Sequence, residues 1–221
     1  MLPIVCLTIS TKYDDLLNII IHQNYKFFEK WYIVTHEKDK KTIEVIKKAN
    51  YPNIEILYFR FWKNGEKFNK GGAVRYAQNV IYEKYKKQDI SVLITDSDIY
   101  LPDNFMDIYQ KIDIERRTLY APMHRFDFSK YSDFIENKNY TIYYADQQHF
   151  GFFQLYRKPI NSQFQPLYKH SKSAAMCDSV FRKHFSKHLI MNDLIVSHLG
   201  APKMNWNTRK TTDDFLLDIQ I

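Results

Sequence analysis

Residues 90–105 read Ile90-Ser91-Val92-Leu93-Ile94-Thr95-Asp96-Ser97-Asp98-Ile99-Tyr100-Leu101-Pro102-Asp103-Asn104-Phe105. A largely apolar run ends in two carboxylates one residue apart. The run predicts a strand over 90–95 that is buried on both faces, as in a parallel sheet covered by helices. In open α/β sheets, ligands bind in the crevice beyond the carboxyl ends of the strands. In extended or turn backbone, residues i and i+2 point the same way. Asp96 and Asp98 are therefore expected to face one ion, and carboxylate oxygens select Mg²⁺ or Mn²⁺. A turn carrying two solvated acids is the competing reading, because Asp is a common turn residue.

The sequence on either side supports an α/β fold. Upstream, residues 3–10 form an apolar strand. A helix follows with Asp14 or Asp15 as cap and Leu16, Leu17, Ile20 and Ile21 on one face. Strand 31–35, helix 39–48 and strand 54–59 complete a β-α-β-α-β order, the pattern of a parallel sheet with crossover helices. A helix from about Ala73 places Ala73, Tyr76, Ala77, Val80 and Ile81 on its apolar face. After the turn at Pro102 and Asp103, Asn104 or Asp103 caps a short helix to about Ile112. The second half is less regular. A strand is expected over 118–122, a polar and aromatic stretch without clean period over 126–144, and a strand over 148–157. A loop over 161–173, a helix over 174–185 and one or two strands within 189–199 follow. The simplest partition is one α/β domain over 1–221, with a mostly parallel central sheet flanked by helices.

Composition narrows the class. The chain has 221 residues, 45% hydrophobic and 26% charged, as in a soluble globular protein. No apolar run reaches the ~20 residues of a membrane span. The N-terminus has no basic lead and reads as a strand and not a signal peptide. Only two cysteines occur, which suggests a reducing compartment, and a cytoplasmic location is the expectation. The formal net charge of +7 suits an anionic ligand. The basic residues are dispersed and form no basic-aromatic stripe, so nucleic acid is not an expected partner.

Three further places carry chemistry. His198, in Ile195-Val196-Ser197-His198-Leu199-Gly200, ends a strand-like run, and its imidazole beside Asp98 would favour Mn²⁺ over Mg²⁺. A polar residue at a strand end is the plainer alternative. Asp178 stands near the start of a helix, where an acid is favoured by the helix dipole in any case; a general base aimed into the crevice is the functional reading. Asn69-Lys70-Gly71-Gly72 with Arg75 combines glycines, a helix start and two cations, a setting that favours anions. It has neither the Walker nor the Rossmann dinucleotide spacing.

Taken together, these motifs resemble the GT-A glycosyltransferases, most closely the family 2-like branch. Thr8-Ile9-Ser10-Thr11 is similar to the polar end of their first strand. Asn69-Lys70-Gly71-Gly72-Ala73-Val74-Arg75 is similar to their Asn-x-Gly helix start, and Asp96-Ser97-Asp98 with Leu101-Pro102 to their Asp-x-Asp motif. Cys177-Asp178 stands where they often have Glu-Asp. Ser197-His198-Leu199-Gly200 and Asn205-Trp206-Asn207-Thr208-Arg209 are similar to their C-terminal His-x-Gly and Asn-Trp-x-x-Arg segments. The resemblance implies a Rossmann-like GT-A fold, with a nucleotide-sugar half over 1–103 and an acceptor half over 104–221. It implies a UDP-sugar donor and a glycan or other hydroxyl acceptor. Thr8, Ser10 and Asp39 would lie near base and ribose, and Lys70 and Arg75 near the diphosphate or ribose side. Trp206 and Arg209 would also contact substrate. Asp98 and His198 would hold Mn²⁺ (or Mg²⁺), with Asp96 on its waters or the ribose. Asp178 would be the base of an inverting displacement. Phe150, Phe152, Phe153, Tyr156 and Trp206 would offer stacking surfaces for sugar rings, core packing being their plainer role.

Three other activities fit parts of the pattern. A nucleotidyltransferase would want a glycine-rich loop after the first strand, and Ser10-Thr11-Lys12-Tyr13 lacks one. A metal-dependent nuclease would use the acid pair and the positive charge. A sugar- or nucleotide-binding module without catalysis would leave Asp178 outside the crevice.

Overall fold

The computed structural model describes residues 1–62, 68–144, 151–160, 164–169 and 177–200. In chain order the elements are β1 (Ile4–Ile9), α1 (Asp14–Asn24), β2 (Lys30–Thr35), α2 (Lys40–Ala49), β3 (Ile54–Tyr58), α3 (Lys70–Lys84), β4 (Ile90–Asp96) and β5 (Ile99–Tyr100). They continue with α4 (Phe105–Gln110), β6 (Thr118–Phe128), α5 (Tyr131–Ile135), β7 (Thr141–Tyr144), β8 (Phe153–Lys158), α6 (Cys177–Arg182) and β9 (Lys187–Leu199). One mixed sheet runs in the order β3-β2-β1-β4-β8-β6-β9-β5, with β7 paired to β6. Its first four strands are parallel, joined by α1, α2 and α3 as crossovers. β8 then enters antiparallel beside β4. Both halves of the chain share this sheet.

Alternation along the strands divides the core in two. Ile4 and Cys6 of β1, Trp31 and Ile33 of β2 and Leu93 of β4 pack with α1, α2 and α4. Val5, Leu7, Tyr32, Val34, Val92 and Ile94 face the other way, against α3 and α6. The 90–95 run is buried throughout, as a strand covered on both faces should be.

Several local expectations are corrected. The helix expected from Ala73 starts at Lys70, because the Asn69 side chain caps it, Oδ1 accepting from Gly72 N at 2.8 Å. Ala73, Ala77 and Ile81 are buried as expected, with Val74, Gln78 and Tyr82 beside them, whereas Tyr76 is exposed. The cap position of α1 is Tyr13, and Asp14 and Asp15 form its first turn. Asn104 precedes α4 without a side-chain capping bond, and Asp103 instead accepts from Gln23 and Lys26, both at 2.9 Å. The aperiodic stretch 126–144 holds the end of β6, α5 and β7. β9 is a single long strand, accommodated by a register shift between Pro122 and His124 on its partner. Proline has no N–H to give to a ladder, and Asp193 adopts a left-handed φ of 67° on β9.

Gly72 gives a test of the Asn69 cap. Gly→Ala inside a helix ordinarily stabilises by about 1 kcal/mol. Here an added Cβ would lie 2.7 Å from the Asn69 amide. Gly72→Ala is therefore expected to lose the cap, worth about 1 kcal/mol, which cancels that gain. The urea unfolding midpoint should stay near the wild-type value; a rise by the full helix gain would show that the cap survives.

Candidate active site

The crevice lies at the carboxyl end of the parallel strands, where four separate elements meet. α3 begins at Lys70, and its ammonium is 3.0 Å from Asp96 Oδ1 at the end of β4. The same ammonium is 3.4 Å from Asp178 Oδ2 in α6. Burial works against the charge on Lys70, but Asp178 and Asp96 outweigh it and hold its pKa well above the ordinary lysine value. Burial raises the pKa of Asp96, opposed by Lys70 and reinforced by the charges of Asp98 and Asp178.

Asp178 has a second anchor. The Tyr168 hydroxyl is 2.8 Å from Asp178 Oδ1 and also contacts Gln154 Oε1 on β8. A phenol has one proton to donate, and burial and then the Asp178 charge keep it on Tyr168. Gly151 leaves the space beside this carboxylate, since a Cβ there would be 2.8 Å from Asp178 Oδ2. Cys177, its neighbour, is raised to about 12, chiefly by burial, and remains a thiol.

A second cluster is set by strand register. β9 lies between β6 and β5. His198 is opposite Asp127 on one side and Ile99 on the other, and Leu199 N donates to Asp98 O at 2.9 Å. His198 Nε2 is 3.3 Å from Asp98 Oδ2. Nδ1 is 2.8 Å from Asp127 Oδ1, with the N–H direction off the line between the atoms. Asp127 also accepts two bonds from Arg125, at 2.7 and 3.1 Å. The Arg125 guanidinium lies 4.6 Å from the ring centroids of Tyr143 and Phe152, which meet edge to face beside it. Burial lowers the His198 pKa, but attraction to Asp98 and bonding to Asp127 raise it from 6.5 to about 9.

The structure thus brings Lys70, Asp96, Asp98, Asp178 and His198 to one end of the sheet. It corrects how the two acids are used. The turn after β4 breaks the extended alternation, so Asp96 pairs with Lys70 and Asp98 with His198. Thr8 is buried in the core, its hydroxyl accepting from Trp31 Nε1 at 2.9 Å, and does not line the crevice. Ser10 is likewise fully buried. Asp39 is committed to its own chain: it accepts from Lys12 N at 2.7 Å and from the Thr42 hydroxyl at 2.9 Å, and caps α2. Arg75 lies on the exposed face of α3, about 140° around the helix from Lys70. Phe152, Phe153 and Tyr156 are buried and offer no stacking face. Phe150, Trp206 and Arg209 lie outside the described residues. Sequence reasoning missed Asp127, Arg125, Tyr168, Gln154 and Gly151. Only Arg125-Phe126-Asp127 carried a signal, a charge pair at strand spacing.

The donor set fits a divalent cation completed by a ligand. An imidazole nitrogen and a carboxylate oxygen face each other, and a second carboxylate stands behind the imidazole, as outer-shell acids do behind metal-bound histidines. Within the two clusters, four carboxylates meet three cations. Among the described residues no three His, Cys, Asp or Glu side chains are grouped so that they could hold a metal ion by themselves. Also among them, no helix is long and apolar enough to cross a membrane.

No family model matches the chain, and no curated protein matches it. Solved structures similar to it include a 4-diphosphocytidyl-2C-methyl-D-erythritol synthase, at 12% identity over 99% of each chain with a TM-score of 0.48. The enzyme of that name from Anaerococcus prevotii is 9% identical over 85% of this chain and 86% of its own, with a TM-score of 0.43. Mouse xyloside xylosyltransferase 1 is 10% identical over 54% of this chain and 51% of its own, with a TM-score of 0.35. None of these likenesses bears on which reaction the chain performs.

The raised pKa of His198 has a consequence for stability. Its folded value lies above the unfolded one, so its contribution is fully present below about pH 6.5 and lost as pH rises through about 9. The shift corresponds to roughly 3 kcal/mol at most. With a chelator present, denaturant midpoints of the wild type are expected to fall across that window. In His198→Asn the decline should be markedly shallower; an unchanged decline would assign the effect to other groups.

Proposed function

We propose that this chain is a metal-dependent glycosyltransferase that moves a sugar from a nucleoside diphosphate sugar, of the UDP type, to a hydroxyl acceptor. One observation carries the reading. An Asp96–Lys70–Asp178 triad and an Asp98–His198 pair, drawn from distant parts of the sequence, converge at the carboxyl end of a parallel sheet. This is the place where such sheets bind their ligands. The resemblance of the same residues to glycosyltransferase motifs supports it independently.

Each group has work suited to its position. Asp98 and His198 would hold Mn²⁺ or Mg²⁺, which when bound supplies Lewis-acid stabilisation to a diphosphate leaving group. Lys70 is a partly exposed cation and attracts phosphate oxygens. Turning toward them, it loosens its hold on Asp178, the longer of its two contacts. Asp178 Oδ2 then accepts the proton of the acceptor hydroxyl as that oxygen attacks the anomeric carbon. Tyr168 keeps Oδ1 engaged meanwhile, so the carboxylate offers one oxygen in one direction. Attack opposite the leaving diphosphate inverts the anomeric centre.

The test is a screen of UDP-sugars with Mn²⁺, reading UDP release. Asp178→Asn should lower turnover by about 10²–10⁴, the usual worth of a general base, with UDP affinity within about twofold of wild type. Gly151→Ala, which crowds Asp178, should lower turnover in the same sense. Pyrophosphate release from a nucleoside triphosphate and a sugar phosphate, without UDP release from any UDP-sugar, would instead establish a nucleotidyltransferase.

A further inference from the structure

We propose that Asp127, clamped by Arg125, is a positioning residue that presents His198 Nε2 to the metal ion. The inference rests on the reading of Asp98 and His198 as metal-holding groups. Three observations carry it. Asp127 has no exposed side-chain surface, Arg125 is nearly as buried, and His198 is buried with them. The parallel register sets Asp127 directly opposite His198, with Oδ1 2.8 Å from Nδ1. The opposite nitrogen, Nε2, faces Asp98.

An imidazole ligates through the nitrogen that carries no proton, and the bond made by the other nitrogen decides which one that is. A carboxylate 2.8 Å from Nδ1 favours a proton on that side, so the proton given up when an ion binds is the one on Nε2, which faces Asp98. It also fixes the plane of the ring, which on a strand would otherwise be free to turn about its side-chain torsions. A fully buried carboxylate is costly unless paired. Arg125 meets that cost with a two-point grip, and the grip orients the acid as well as neutralising it. Tyr143 and Phe152, which meet edge to face, both contact the guanidinium. The backbone of Phe152 in turn accepts from Asp96 N at 3.1 Å and from the Thr95 hydroxyl at 3.1 Å. The end of β4 that carries the acids is therefore tied to the same assembly that orients His198. A merely structural salt bridge would need Arg125 and Asp127 only; it would not need the acid 2.8 Å from the histidine ring.

The experiment is calorimetric titration of MnCl₂ into protein saturated with UDP, in wild type, Asp127→Asn and Arg125→Lys. Circular dichroism and melting curves establish which variants are folded. Outer-shell partners of metal-bound histidines are typically worth 10–100-fold in affinity. A loss of tenfold or more in Mn²⁺ affinity in either folded variant, with wild type binding normally, is the expected result. Wild-type binding matched within threefold by the folded variants would overturn the positioning role while leaving Asp98 and His198 as ligands. Failure of the wild type itself to bind Mn²⁺ would overturn the metal-dependent reading on which the inference stands.

Discussion

The crevice depends on one ammonium group. Lys70 sits between Asp96 and Asp178, and those three residues come from the start of a helix, the end of the central strand and a short helix in the second half. Without the cation, two partly exposed carboxylates would face each other with no countercharge between them, and like charges repel. With it, each acid is held at a defined position on a side of the crevice. The Asn69 cap matters for the same reason. It starts α3 at Lys70, and a helix starting at Ala73 would leave Lys70 on a loop.

His198 makes the second link. β9 is inserted between β6 and β5, so a residue near its end has a neighbour on each side. One neighbour is Asp98 and the other Asp127. The two clusters are therefore alike in plan. One holds a single ammonium between two carboxylates, and the other sets an imidazole between two carboxylates.

The parallel half of the fold was legible because its signals are local. An apolar run of strand length and a helical period each act within a few residues. The positions of Asp96, Asp98, Asp178 and His198 could be picked out for the same reason, as polar groups at the ends of apolar segments. Their partners could not. The split between Asp96 and Asp98 follows from a turn that breaks strand alternation. Asp127 meets His198 only because two strands far apart in sequence pair in one register. Tyr168 reaches Asp178 from a segment with no period at all. The reassignments of Thr8, Ser10 and Asp39 share one cause. A hydroxyl or carboxylate at a strand end looks available in sequence, whereas Trp31, complete burial, and the Lys12 and Thr42 donors claim them here.

The central claim is that a nucleotide-bound divalent cation sits between Asp98 and His198, next to the Lys70 triad. A crystal structure of the protein with UDP and Mn²⁺, collected for the anomalous signal of manganese, tests it most directly. The account predicts one anomalous peak within coordinating distance of Asp98 Oδ2 and His198 Nε2, with diphosphate oxygens completing the ion and approaching Lys70. A peak coordinated elsewhere, or UDP bound with its diphosphate away from Lys70, would contradict it.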